Sequence, residues 1–221
     1  MRRIGLVSCT EGAGSRFFAA NFACYLAAEE KKSPAVIEFG SGGLYDALGM
    51  DKRFAGKTFY PQGGPPNMAC GVNWSLKTEK TAADGIEAFY ERLRILDRTD
   101  GDVILCILNG LADEERELFL RETDVSFLLI DPLPSRLLLA YDFLKREAAR
   151  KIRPVSIVNK MNPGVRLRQL ESYLGETAPL TVPYLAPEEI YRAEYACRVP
   201  YESESAAALL KPAFRRIWRA L

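Results

Sequence analysis

"VSCTEGAGSRFFAANFACYLA", residues 7–27, decides how this chain is read. An apolar run ends near Cys9, a loop with Gly12 and Gly14 follows, and an apolar helical run begins near Ser15. A strand that turns through glycines into a helix aims backbone N–H groups and the positive end of the helix dipole at one spot. That geometry suits an anion. A working triphosphate site also needs a lysine for the β- and γ-phosphates and a hydroxyl for magnesium. No lysine stands in this stretch.

Working outward, short β-branched and apolar runs alternate with helical patterns. Strands are predicted at 4–9, 35–39, 71–76, 103–108, 125–131, 155–159 and 180–184. Their near-continuous hydrophobicity suits strands buried on both faces. Residues 15–32 are apolar almost all round and predict a buried helix. Over 81–97, Ile86, Phe89, Tyr90, Leu93 and Leu96 recur at three- and four-residue intervals, an amphipathic helix. Further helices fit 112–122, 135–151, 165–174, 187–197 and 205–221. The alternation predicts one α/β domain over 1–221, a three-layer, open, mostly parallel twisted sheet of about seven strands with helices on both faces. The stretch 51–70, with "YPQGGPPNMACG", reads as a loop-rich insertion, because its Gly and Pro content excludes a regular helix or a central strand. In such sheets ligands bind at the carboxyl ends of the strands, where the opening stretch lies.

Composition narrows the chemistry. The 221 residues hold 30 Lys plus Arg against 29 Asp plus Glu, a net charge of +1, so no general electrostatic attraction to nucleic acid is expected. There is no histidine, which excludes His-based triads and His metal ligands. Five cysteines without a CxxC pair suggest a reducing, cytoplasmic setting with no disulfide frame and no metal site. No apolar stretch is long enough to span a bilayer.

The stretch resembles the ParA/MinD family of deviant P-loop ATPases, whose loop reads KGGxGK[ST] before a helix like "TTAANLAAALA". Here "AANFACYLA" (19–27) matches that helix. Thr10 stands at the family's signature lysine and Glu11 at its first glycine, while Gly12 and Gly14 match the second and third. Ser15 replaces the phosphate lysine, and Arg16 replaces the magnesium-binding Ser/Thr. "AVIEFGSGGLYDALGM" resembles the second strand and switch segment, with Glu38 and Gly40 at its usual aspartates. In "GDVILCILNG" the expected Walker B acid falls on or near Ile107. "VSIVNK" resembles the strand ending in the base-contacting asparagine, here Asn159. "VPYLAPEEIYRAEYACRVPYE" resembles the closing segment.

The resemblance implies the P-loop NTPase fold with a degenerate site. Losing the lysine, the magnesium hydroxyl and the Walker B acid removes what phosphoryl transfer depends on, and even one missing electrostatic stabiliser costs roughly 10²-fold in rate. The expectation is therefore no catalytic residue and no bound metal or cofactor, ATP or ADP binding weakly if at all. Any nucleotide would meet Gly12, Ala13, Gly14, Ser15, Arg16, Phe17, Glu38 and Asn159. The implied role is positioning or scaffolding through protein partners, with a homodimer across the loop face. Its nearest analogy is the TadZ/CpaE-like localisation proteins of pilus and secretion assembly.

Three alternatives stay open. Arg16 could take the lysine's place in an atypical nucleotide-binding ATPase, since guanidinium grips phosphate in a bidentate way. "GAGSRF" with Glu38 outlines a dinucleotide fingerprint whose third glycine is replaced by Phe17. Or the loop is only a tight connection whose glycines supply positive φ. The basic amphipathic segment 209–221, carrying Leu210, Phe214, Ile217, Trp218 and Leu221, fits either a helix docked on the sheet or a peripheral membrane contact.

Overall fold

A computed structural model describes residues 1–39, 43–49, 68–75, 86–149, 154–175 and 179–221. Among these residues, eight strands form one sheet: β1 (Arg2–Ser8), β2 (Pro34–Glu38), β3 (Met68–Ala69), β4 (Val72–Ser75), β5 (Val103–Ile107), β6 (Val125–Ile130), β7 (Val155–Met161) and β8 (Leu180–Pro183). Their order is β3-β4-β2-β5-β1-β6-β7-β8. All pair in parallel except β3, which runs antiparallel to β4.

The seven expected strands are present within a few residues, and β3 is an eighth. It falls in the last residues of the predicted insertion; 51–67 lie outside the described residues. Cys70 at φ 55° and Gly71 at φ 72° make the tight turn joining β3 to β4, the backbone of a two-residue hairpin connection. Two residues at the sheet edge are too few to show a period of two, and an edge tolerates the composition that a central strand does not.

The helices are α1 (Ser15–Ala28), α2 (Gly43–Ala47), α3 (Ile86–Asp97), α4 (Asp113–Arg121), α5 (Pro134–Ala149), α6 (Leu167–Leu174), α7 (Pro187–Tyr195) and α8 (Glu204–Arg219), with a 3-10 turn at Pro200–Glu202. α1 stops four residues short of the expected end. Lys31 turns left-handed at φ 54° and the Lys32 N–H donates to the Leu26 carbonyl, 3.1 Å away, closing the helix. α8 continues through Pro212.

Alternation along each strand builds two cores, one per sheet face. On the first face Ile4, Leu6, Val36, Leu105, Ile107, Phe127, Leu129 and Ile157 meet α1, α2 and α8. On the second, Val7, Ile37, Ile104, Cys106, Leu128, Ile130 and Val158 meet α3, α4, α5 and α6. α1 is buried almost all round, as its composition predicts, because α8 lies over it. Phe214 of α8 packs 5.7 Å from Phe18 and 5.4 Å from Phe22, ring centre to ring centre. The apolar face of 209–221 is thereby covered by the core, with Leu210, Phe214 and Ile217 fully buried and Trp218 packed against them. That is the docked arrangement. Among the described residues, no helix is long and apolar enough to cross a membrane.

Because β5 lies between β1 and β2 while β6 lies on the other side of β1, the chain changes direction across the sheet beside β1. Crevices of such sheets open there, at the carboxyl ends.

Candidate functional site

The loop between β1 and α1 borders a cleft of about 460 Å³, lined by Ser8, Cys9, Thr10, Glu11, Gly12, Gly14, Ser15, Arg16 and Asn109. Gly12 (φ 81°) and Gly14 (φ 89°) are both left-handed, so the glycines supply backbone that other residues resist. Gly14 is the N-cap of α1 and offers no side-chain cap. The first intrahelical bond runs from the Phe18 N–H to the Gly14 carbonyl at 2.9 Å. The N–H groups of Ser15, Arg16 and Phe17 therefore have no partner within the helix, and the positive dipole end opens on the cleft.

The loop is braced from β7. Asn159 is fully buried, and its Nδ2 donates to the Ala13 carbonyl at 2.9 Å. A Cβ at Gly14 would lie 2.6 Å from that nitrogen, so this brace requires glycine. Lys160, left-handed at φ 60°, turns back so that its Nζ donates to the Gly12 carbonyl and lies 3.4 Å from Asp131 Oδ2. Asp131 Oδ1 in turn accepts the Leu133 N–H at 3.1 Å.

Arg16 is held from the other side. Its Nε donates to Glu38 Oε1, and Glu38 Oε2 accepts the Leu44 N–H at 2.8 Å. Glu38 is 1% exposed and the Arg16 side chain 43% exposed. Gly43 makes room for this pair, since a Cβ there would sit 2.7 Å from Arg16 Cζ.

The expected site residues divide accordingly. Gly12, Gly14, Ser15 and Arg16 border the cleft. Ala13 is buried beneath them and Phe17 packs against the first core. Glu38 is reached through Arg16, and Asn159 through the Ala13 carbonyl. Ile107, on or near which the resemblance puts the expected Walker B acid, is fully buried at the end of β5. Gly40 lies outside the described residues.

Four further residues belong to the site. Asn109 lines the cleft, and its Oδ1 accepts the Ser8 N–H at 3.1 Å. Lys160 touches the loop, as above. The Thr10 hydroxyl is buried and has no hydrogen-bond partner among the described residues. The Cys9 thiol is pushed up chiefly by burial; the Thr10 hydroxyl beside it offsets part of that rise without reaching hydrogen-bond geometry. Asn109 is marked in the sequence only by following an apolar strand run, whereas Lys160 stands beside Asn159 in "VSIVNK".

No family model matches the chain, and no curated protein matches it. Solved structures do. MinD in the MinC:MinD cell division complex of Aquifex aeolicus superposes with TM-score 0.76 at 16% identity, covering 99% of this chain and 96% of that one. A ParA family ATPase from Chlorobium tepidum gives 0.71 at 16%, covering 100% and 99%. A plasmid partition protein from Borrelia burgdorferi gives 0.69 at 10%, covering 100% and 99%. At these identities the likeness speaks for architecture, and the architecture is that of the ParA/MinD-like P-loop NTPases.

Proposed function

We propose that this chain is a ParA/MinD-like positioning or scaffolding protein that works through protein contacts and does not hydrolyse nucleotide. One observation carries the reading: the cation in the first turn of α1, Arg16, is paired with a buried carboxylate of its own chain. Lys160 is likewise faced by Asp131, and Glu11 adds a further negative charge at the rim. Two cations against three carboxylates leave these named groups net negative. Phosphoryl transfer relies on positioning and on neutralising a polyanion, and this set opposes one. The resemblance, which puts the expected Walker B acid on or near Ile107 and the magnesium-binding hydroxyl at Arg16, supports the same reading, and Ile107 is fully buried.

The relatives in fold support the positioning half. They include a cell division protein in complex with its partner MinC and a plasmid partition protein. A partner protein, and a homodimer across the loop face, are the contacts this chain is proposed to make. Sedimentation equilibrium at tens of micromolar should show self-association, and a pure monomer there would remove the homodimer.

The decisive test is calorimetric titration with ATP, ADP and NAD, each with and without magnesium, beside a phosphate-release assay. The expected result is no magnesium-dependent heat with ATP or ADP, no heat with NAD, and no turnover. Magnesium-dependent ATP binding that disappears in Arg16→Ala would make the chain an atypical nucleotide-binding ATPase instead. Metal-independent binding of NAD would make it a dinucleotide-binding protein.

A further inference from the structure

α2 is fixed at both ends. At its start the Leu44 N–H is bound by Glu38 Oε2, whose other oxygen holds Arg16. Its one buried face, Leu44 with Leu48 just beyond, lies in the first core. At its end Gly49 caps the helix, its N–H donating to the Asp46 carbonyl at 3.0 Å with φ 55°. A Cβ on Gly49 would overlap Cys197 Sγ and lie 3.0 Å from Cys197 Cβ. Cys197 is itself the left-handed residue, φ 54°, that closes α7, its N–H donating to the Glu194 carbonyl at 2.9 Å. Two helix ends are thus packed cap against cap.

α7 is weakly held elsewhere. None of its residues is buried. Glu189 Oε2 accepts from Ser205 Oγ at 3.1 Å. Tyr191 and Tyr195 stack 6.1 Å apart and are 69% and 81% exposed. A helix with so little burial takes its position from its few fixed contacts, and elements of that kind open at low free energy.

We propose that α2 is a strut that sets the position of α7 from the state of the Arg16–Glu38 pair. Arg16 borders the cleft. An oxyanion bound there competes with Glu38 for the guanidinium, which favours the anion offering bidentate contact. When Arg16 leaves, Glu38 loses its counter-charge, α2 loosens from its first turn, and Gly49 withdraws from Cys197. The tyrosine-bearing α7 then shifts. The coupling uses the same ion pair as the scaffold reading, and its test contains no nucleotide, so either can fail alone.

Cys197 reports the strut directly. Alkylation by N-ethylmaleimide, followed site by site through peptide mass, compares the wild type with Glu38→Gln and Gly43→Ala. The second variant leaves both charges in place and pushes the guanidinium aside. Cys197 should react about tenfold faster in both variants, the signature of an easier local opening. Cys106, fully buried in the second core, should stay protected. Inorganic phosphate, against sodium chloride of matched ionic strength, should accelerate Cys197 saturably in the wild type and have no effect in Glu38→Gln. If Glu38→Gln unfolds, shown by reaction at Cys106, Gly43→Ala decides. An unchanged Cys197 rate in a folded Gly43→Ala protein overturns the strut. A flat phosphate titration overturns the release by anion.

Discussion

The body of α1 and its head obey different constraints. From Phe18 to Leu26 every residue is buried, and Phe18, Phe22 and Tyr25 meet Phe127, Phe214 and Tyr201 in one aromatic cluster. Asn21, fully buried, ties this body to the closing segment, donating to the Phe17 carbonyl at 2.7 Å and accepting the Tyr201 N–H at 2.8 Å. The head, from Thr10 to Arg16, keeps the glycines and the open dipole of a phosphate loop but answers them with carboxylates. Packing fixes the body, because nearly any polar substitution there leaves an unpaired group in a dry core. Charge placement sets the head, and charges can be exchanged while the backbone stays. The same helix can therefore keep its buried body while the charges at its tip are exchanged.

Breaking the body should have the largest effect. Phe214→Ala removes the ring shared by Phe18, Phe22, Tyr25 and Tyr201, and a loss of about 3–5 kcal/mol is expected for such a truncation. Urea unfolding should show it as a lower midpoint with an unchanged slope.

The head predicts an asymmetry. Arg16→Ala leaves a carboxylate that is 1% exposed without its cation, whereas Glu38→Gln leaves an arginine that is 43% exposed and can turn to water. Stranding a buried charge costs about 3 kcal/mol or more. Losing one hydrogen-bonded charge at a half-exposed partner costs about 1 kcal/mol. Urea midpoints should place Arg16→Ala clearly below Glu38→Gln. Equal losses would mean that Glu38 is hydrated and that the head is an ordinary surface pair.

How much of this was legible in the sequence follows the same division. The body and the seven longer strands announce themselves through unbroken apolar runs, so their order and the layer count could be read directly. β3 and α2, of two and five residues, are shorter than any period that could reveal them. Glu38 could be seen as a strand-end acid and Arg16 as a replacement in the loop. Their union could not, since it depends on β5 lying between β1 and β2 and on a glycine at 43. Lys160, beside Asn159 at the end of a strand run, could be read as a phosphate contact or as part of a turn; its contact with Gly12 could not, because it depends on a left-handed φ unusual for a lysine. For Asn159 the sequence offered a base contact or a turn, and neither reading contained its bond to the Ala13 carbonyl, which is set by the approach of β7 to the loop.

That brace gives a finer test of the head. Gly14→Ala forces an L side chain into φ 89° and into the Asn159 amide; the backbone alone should cost about 1–2 kcal/mol. Asn159→Ala clears the space and loses one hydrogen bond, about 1 kcal/mol. The double variant should therefore be more stable than the sum of the singles predicts, by roughly 1 kcal/mol. Strict additivity in denaturation would show that the loop and β7 move independently.

The smallest effect is expected where the body holds a polar atom it does not use. The Tyr201 hydroxyl is buried with no hydrogen-bond partner among the described residues, while its ring packs 6.2 Å from Tyr25 and 6.0 Å from Phe214. Tyr201→Phe keeps the ring contacts and the backbone bond to Asn21, so stability near neutral pH should stay within about 0.5 kcal/mol of the wild type or rise slightly. The alkaline limb should change more. Burial first, then the negative charge of Glu29, pushes the Tyr201 phenol from 10.0 up to about 12. The unfolded chain thus loses this proton first, and the stability present below pH 10.0 drains away as pH rises toward about 12. Removing the hydroxyl makes that decline shallower. Tyr25, whose phenol is raised by burial and by Glu30, keeps part of it, so chemical denaturation at a series of alkaline pH values should show a reduced slope for Tyr201→Phe and not a flat line. An unchanged slope would mean that water already reaches the Tyr201 hydroxyl, and that the dry body of the helix ends at Tyr25.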